Sequence, residues 1–131
     1  MDIGAGAEGL RRHLTPGTKY QPVDRVRRSK ATLVLDMDSM PLPTGYDIAV
    51  AIGLLECLND VPGFFKRVAA SCHTLVFTYH RHRVERPEWV NRYTPDELRA
   101  LAEAAGFRLN VMGNWKGALI YRARRSRGRH A

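Results

Sequence analysis

The sequence predicts an α/β fold, with a mainly parallel sheet that ends in an antiparallel hairpin. Three observations predict it. Short apolar runs alternate with turn or helix signals along most of the chain, as strands joined by crossovers do. A glycine-rich segment, Gly4-Ala5-Gly6-Ala7-Glu8-Gly9, follows the first apolar residues and leads toward a helix. Two alternating runs flank Asn114-Trp115-Lys116-Gly117 and read as a hairpin.

The opening Asp2-Ile3 is the end of a first strand that runs into the glycine turn. Residues 10–14 read as a short helix, stopped by Thr15-Pro16-Gly17. Residues 20–24 form a second strand, in which Pro22 is awkward because it cannot donate to a ladder. Residues 32–36 form a third. Residues 46–52 are almost continuously apolar, as a strand buried on both faces should be. Asn59 and Asp60 can cap the next helix, Pro62 suits its first turn, and Phe64, Val68 and Cys72 recur at a spacing of four. Residues 73–80 are a fifth strand. Thr94-Pro95-Asp96-Glu97 is a capping box for a second helix, with its apolar stripe on Leu98, Leu101, Ala102 and Ala105 and its end at Gly106. The crossovers at 25–31 and 37–45 are too short for full helices, so one helical layer is expected to be thin.

A chain of 131 residues with 44% hydrophobic content suits one globular domain, read as residues 1–122, followed by a basic tail at 123–131 expected to be disordered. No run of eighteen apolar residues exists, so no membrane span is expected, and no basic-then-apolar secretory signal opens the chain. Cys57 and Cys72 make no metal spacing, and two isolated thiols fit a reducing cytoplasm; no metal site is expected. Five arginines after Tyr121 carry more than half of the net charge of +8. Such a tail can grip RNA phosphates, but no aromatic residues interleave with the arginines, which favours a solvated terminus.

Glycines at positions 4, 6 and 9 let the backbone turn tightly and approach a ligand, and Asp24 ends the second strand where it can bond vicinal ribose hydroxyls. That pair fits NAD and S-adenosylmethionine alike.

The order of motifs along the chain adds to this. Asp2-Ile3-Gly4-Ala5-Gly6, Tyr20-Gln21-Pro22-Val23-Asp24, Leu35-Asp36-Met37-Asp38 with Pro41-Leu42-Pro43, Gly53-Leu54-Leu55-Glu56-Cys57-Leu58, and Tyr93-Thr94-Pro95-Asp96-Glu97-Leu98 to Ala105-Gly106-Phe107 resemble the class I S-adenosylmethionine-dependent methyltransferases, in particular a group of small bacterial enzymes. The resemblance runs from Met1 to about Arg122. It implies a Rossmann-like sheet of seven strands with the last one antiparallel, and S-adenosylmethionine as cofactor. It also implies roles. Gly4 and Gly6 would contact the methionine part, Asp2 would orient its amino group, and Asp24 would hold the ribose. Asp36 or Asp38, with Met37, would meet the adenine, and the Gly53 region would close the methionine side. Three positions depart from the family pattern. The first strand is clipped, without the apolar residues and helix that usually precede it, so the chain reads as truncated at its N-terminus. Glu8 stands where glycine is common, and Cys57 where histidine is.

Methyl transfer needs alignment of the acceptor and, if the acceptor holds its proton at neutral pH, a base. Candidates follow the fifth strand: Tyr79, His80 and His82, with Arg81, Arg83 and Arg86 nearby. The expected acceptor is a small or medium-sized molecule docked over Tyr79 and His80, because no Asp/Asn-Pro-Pro-aromatic motif follows the fourth strand. Glu56 reads as a structural residue of its turn. The alternatives are a fragment of an NAD-dependent oxidoreductase, against which the missing substrate domain counts, and a non-catalytic methyltransferase remnant. With one sheet face thinly covered, self-association is also expected.

Overall fold

A computed structural model describes residues 1–81 and 86–126. Seven strands form one sheet: β1 (Asp2–Ile3), β2 (Pro22–Asp24), β3 (Leu33–Val34), β4 (Ile48–Ala51), β5 (Thr74–His80), β6 (Phe107–Trp115) and β7 (Ala118–Arg125), in the order β3-β2-β1-β4-β5-β7-β6. Every adjacent pair from β3 to β5 is parallel, while β7 is antiparallel to both β5 and β6. Two α-helices, α1 (Val61–Ser71) and α2 (Pro95–Ala104), connect β4 to β5 and β5 to β6.

Both helices start where the sequence dictates. The Asp60 side chain accepts from the Gly63 amide at 2.9 Å, with Pro62 in the first turn. A Cβ at position 63 would collide with that cap, which is why the residue is glycine. At α2 the capping box closes in both directions, Glu97 N to Thr94 Oγ1 at 3.2 Å and Thr94 N to Glu97 Oε1 at 3.1 Å. Pro22 is tolerated because it is the first residue of β2. The hairpin turns on Lys116 (φ 48°) and Gly117 (φ 81°), the two left-handed residues that a type I′ connection requires.

The core lies between the helices and one face of the sheet. Phe64, Phe65 and Val68 of α1 and Leu98 and Ala102 of α2 are buried with Leu75, Phe77, Phe107, Leu109 and Tyr121. Phe65 meets Phe77 edge-on at 5.5 Å, and Phe77 stacks on Tyr121 at 5.0 Å. The other face is thin. Segments 25–31 and 37–45 form no helix, and the helix expected at 10–14 is a single 3₁₀ turn, Arg11–His13. Ile48 and Ile52 are therefore about half exposed, so β4 is not buried on both faces as its apolar run suggested.

The domain boundary also moves. Strand β7 continues to Arg125, whose amide donates to the His73 carbonyl at 3.0 Å, so residues 123–125 belong to the sheet rather than to the tail. The rest of the tail, from residue 127, lies outside the described residues. Among the described residues no helix is long and apolar enough to cross a membrane, and no group of three or more His, Cys, Asp or Glu side chains could hold a metal ion.

Candidate active site

The glycine segment turns sharply at the end of β1 because Gly4 (φ 71°) and Gly6 (φ 51°) adopt left-handed conformations. A Cβ on Gly4 would press on Leu54 Cδ1 at 3.1 Å. A Cβ on Gly6 would meet nothing within 4 Å, so the backbone there faces open space that a ligand can enter. Asp24, at the end of β2 and 7% exposed, accepts from the Gly6 amide at 3.0 Å and from the Val26 amide at 3.2 Å. The carboxylate thus clamps the glycine turn and keeps acceptor capacity on both oxygens.

These residues open on a cleft of about 260 Å³ at the carboxyl ends of β1, β2 and β3, lined by Gly4, Gly6, Asp24, Arg28, Asp36, Met37, Asp38, Leu54, Cys57 and Leu58 among others. The fold therefore brings together five of the seven expected cofactor residues. Asp36 caps its own turn, accepting from Asp38 N at 2.9 Å and Ser39 Oγ at 2.9 Å, and these bonds hold its carboxyl below the usual range. Asp38 reaches across to the start of α1, accepting from the Asn59 amide at 3.1 Å and the Asp60 amide at 2.9 Å. Met37 is buried and forms part of the wall.

Two expected residues lie elsewhere. Asp2 is buried and accepts from the Tyr20 hydroxyl at 2.6 Å. It lines a separate cavity of about 530 Å³ with Leu10, Leu14, Tyr20, Tyr46 and Ile48, and burial pushes its carboxyl above the ordinary value. Gly53 (φ 66°) gives its amide to Thr78 Oγ1 at 2.9 Å, and its neighbour Leu54 is the residue that meets the cleft.

A second pocket, of about 270 Å³, lies at the carboxyl end of β5 and includes Glu56, Tyr79, His80, Trp89, Asn91 and Tyr93 in its lining. His80 Nδ1 is 2.7 Å from Glu56 Oε2, and the His80 amide donates to the same oxygen at 3.2 Å. The Glu56 residue is 2% exposed, and its Oε1 is buried with no hydrogen-bond partner among the described residues. Trp89 packs its ring 4.5 Å from the His80 ring. Glu56 is thus not a residue of its turn alone, as the sequence suggested. It lies against His80 Nδ1, and a carboxylate accepting a proton from Nδ1–H would leave Nε2 free to face the pocket.

Tyr79 is placed in this pocket, but its hydroxyl is committed. It donates to Asn91 Oδ1 and accepts from the Tyr93 amide at 3.0 Å, while Asn91 in turn donates to the Leu55 and Leu58 carbonyls at 2.7 and 2.9 Å. Burial, above all, pushes its phenol up to about 12. Tyr79 therefore braces the turn below the pocket rather than accepting a proton. His82 and Arg83 lie outside the described residues.

The two pockets share one wall. In the 3₁₀ turn Leu55–Cys57 and its flanks, Leu54, Cys57 and Leu58 line the glycine cleft while Glu56 lines the histidine pocket. The sequence singled out this turn by its motif, but nothing in it revealed which side chain faces which way.

No protein-family model matches the chain, and no curated protein matches it. Solved structures do. TnmH superposes with a TM-score of 0.73 at 20% identity over 96% of this chain, which spans about half (49%) of TnmH. The N-terminal domain of EvdMO1 with SAH (S-adenosylhomocysteine) bound gives 0.72 at 17% identity, covering 95% of this chain and 73% of that one. Magnesium protoporphyrin IX methyltransferase (ChlM) from Synechocystis PCC 6803 with bound SAH gives 0.74 at 14%, covering 95% and 72%. With its seven strands in the order described, its antiparallel β7 and these likenesses, the chain has the class I methyltransferase fold.

Proposed function

We propose that this chain binds S-adenosylmethionine in the glycine cleft and transfers its methyl group to a small or medium-sized acceptor held over His80. The observation that carries the reading is the shared wall: one short turn presents apolar side chains to the cleft and Glu56 to the pocket that holds His80. SAH bound to two proteins of the same fold supports the choice of cofactor.

The residues of the cleft fit that cofactor. Gly6 leaves open space at the backbone, Asp24 retains acceptor capacity for ribose hydroxyls, and Met37, Leu54 and Leu58 offer apolar contact to a planar base. When bound, the sulfonium supplies an activated methyl group. The chain's own residues align the acceptor and move its proton. Trp89 and Tyr93 offer aromatic surface against which an acceptor can lie, and His80, fixed by Glu56, takes the acceptor proton on Nε2. Glu56 stabilises the imidazolium that results.

Titration calorimetry with SAH and with NAD tests the assignment. SAH is expected to bind and NAD is not. Asp24→Ala should remove most of the SAH affinity, since a charged hydrogen-bond set is worth about 1.5–3 kcal/mol. Tighter binding of NAD would overturn the reading in favour of an oxidoreductase fragment.

A further inference from the structure

We propose that Asn91 is a positioning residue that joins the wall turn at 55–58 to the segment 89–93, so that the cofactor cleft and the acceptor pocket close as one unit, a coupling that rests on the reading of the two pockets given above.

The turn has little hydrogen bonding of its own. Its 3₁₀ portion, Leu55–Cys57, closes on Cys57 N to Leu54 O at 2.9 Å and Leu58 N to Leu55 O at 3.2 Å. Such turns have poorer hydrogen-bond geometry than an α-helix and stay short. Its residues are nevertheless deep, with Leu55 at 0% exposed, Glu56 at 2% and Leu58 at 4%. Carbonyls so placed need donors. Among the described residues, the donors that reach them from outside the turn all lie on 89–93. The Val90 amide donates to the Glu56 carbonyl at 2.8 Å, and Asn91 Nδ2 donates to the Leu55 and Leu58 carbonyls at 2.7 and 2.9 Å.

Asparagine is the side chain this junction needs. Carbonyls only accept, so the amide stands with Nδ2 toward the turn and Oδ1 is left for the Tyr79 hydroxyl. That hydroxyl also accepts from the Tyr93 amide at 3.0 Å, which ties the far end of the segment to β5. Aspartate would set a carboxylate against two carbonyls, and leucine would leave both unpaired.

The junction has one side in each site. Leu54, Cys57 and Leu58 line the cleft, while Trp89, Asn91 and Tyr93 line the acceptor pocket. Parting the segment from the turn would orphan the buried carbonyls and take the aromatic wall from the acceptor pocket in the same movement. A ligand packed on Leu54, Cys57 and Leu58 holds the turn in the shape that accepts those bonds, so it favours the docked segment. By linkage, an acceptor in the pocket tightens the cleft by the same factor.

Amide hydrogen exchange followed by NMR, with and without saturating SAH, tests the proposal. In the free protein the Leu58, Val90 and Tyr93 amides should exchange at one rate. SAH should slow all three by at least about fivefold, the lower end of usual coupling between sites. In Asn91→Leu, SAH should slow Leu58 alone. It should also bind at least about fivefold more weakly, although residue 91 does not line the cleft. Should that variant not fold, Tyr79→Phe removes one arm of the junction. It should speed the Leu58 amide along with Val90 and Tyr93, although Leu58 makes no bond to Tyr79. SAH that protects Leu58 in the parent but leaves Val90 and Tyr93 unchanged overturns the proposal, as does Asn91→Leu with the parent's protection and affinity. If SAH does not bind at all, the cofactor reading fails, and the junction stands or falls on whether the three rates in the free protein coincide.

Discussion

His80 Nδ1 and Glu56 Oε2 are 2.7 Å apart across the wall that divides the two pockets, and the glutamate is almost wholly buried. If the carboxylate selects the tautomer, nitrogen-15 NMR should find the proton of neutral His80 on Nδ1. In Glu56→Gln the population should move toward the ordinary Nε2–H form. A parent spectrum already dominated by Nε2–H would remove the proposed base. Once an acceptor is found by screening for SAH release, His80→Ala should lower turnover by about 10²–10⁴-fold with SAH affinity unchanged.

Tyr79 gives the stability of the fold a dependence on alkaline pH. Its phenol in the folded chain is raised from the ordinary value of 10.0 to about 12, so the folded state favours the neutral form. The contribution is complete below pH 10 and is lost as the pH rises toward 12, on the order of 2–3 kcal/mol in all. Urea unfolding at pH 9, 10 and 11 should show a steeper loss for the parent than for Tyr79→Phe. Parallel losses would mean that the burial of this hydroxyl is not felt.

Cys57 can report on the cleft. It lines the cleft, while Cys72 is buried in the core. Burial, then the charges of Glu56 and Glu88, push the Cys57 thiol up, and alkylation needs the thiolate. Iodoacetamide should therefore modify a single site slowly at pH 7.5 and faster above pH 9. SAH should slow the reaction in proportion to its occupancy. Labelling indifferent to saturating SAH would show that the ligand sits elsewhere.

Glu8 is held at φ 60°, in the left-handed region, where its side chain is 13% exposed and pairs at 3.3 Å with Arg11, whose side chain is largely in solvent. Left-handed geometry costs a side chain about 1–2 kcal/mol, glycine's greater freedom in the unfolded chain returns part of that, and a pair whose arginine is largely solvated is offset by the nearby Asp2 carboxyl, which Glu8 repels. Glu8→Gly should raise stability by about 0.5–1 kcal/mol in chemical denaturation. A lower midpoint would mean that Glu8 has a contact of real value.

The sequence announced most of this fold because its signals were local. A capping box, a glycine after a helix and a two-residue turn act over a few residues, and Thr94, Gly106 and Gly117 sit where their chemistry placed them. The glycine cleft was legible for the same reason, as Gly4, Gly6, Asp24 and Met37 belong to compact motifs. What stayed hidden depends on distant packing. The pairing of Glu56 with His80 spans 24 residues, and the engagement of Tyr79 by Asn91 requires the loop before α2 to fold back. The place of Asp2 was not legible because a strand residue can face either side, and only the packed sheet put it against Tyr20. The open face of β4 was missed because an apolar run does not say whether anything covers it.

The loop after β3 has no helix of its own, yet it is fastened to α1 along its length. Asp38 accepts from the Asn59 and Asp60 amides, Arg67 donates to the Met37 carbonyl at 2.7 Å, and Ser71 donates to the Leu42 carbonyl at 3.1 Å. One rim of the ligand cleft therefore borrows its order from a helix whose other side is in the core. These bonds tie the opening of the loop to that of the helix, so the loop amides are expected to exchange with solvent at the rate of α1 rather than at that of a surface loop. Loosening the helix at Ser71, which does not line the cleft, would slacken that rim.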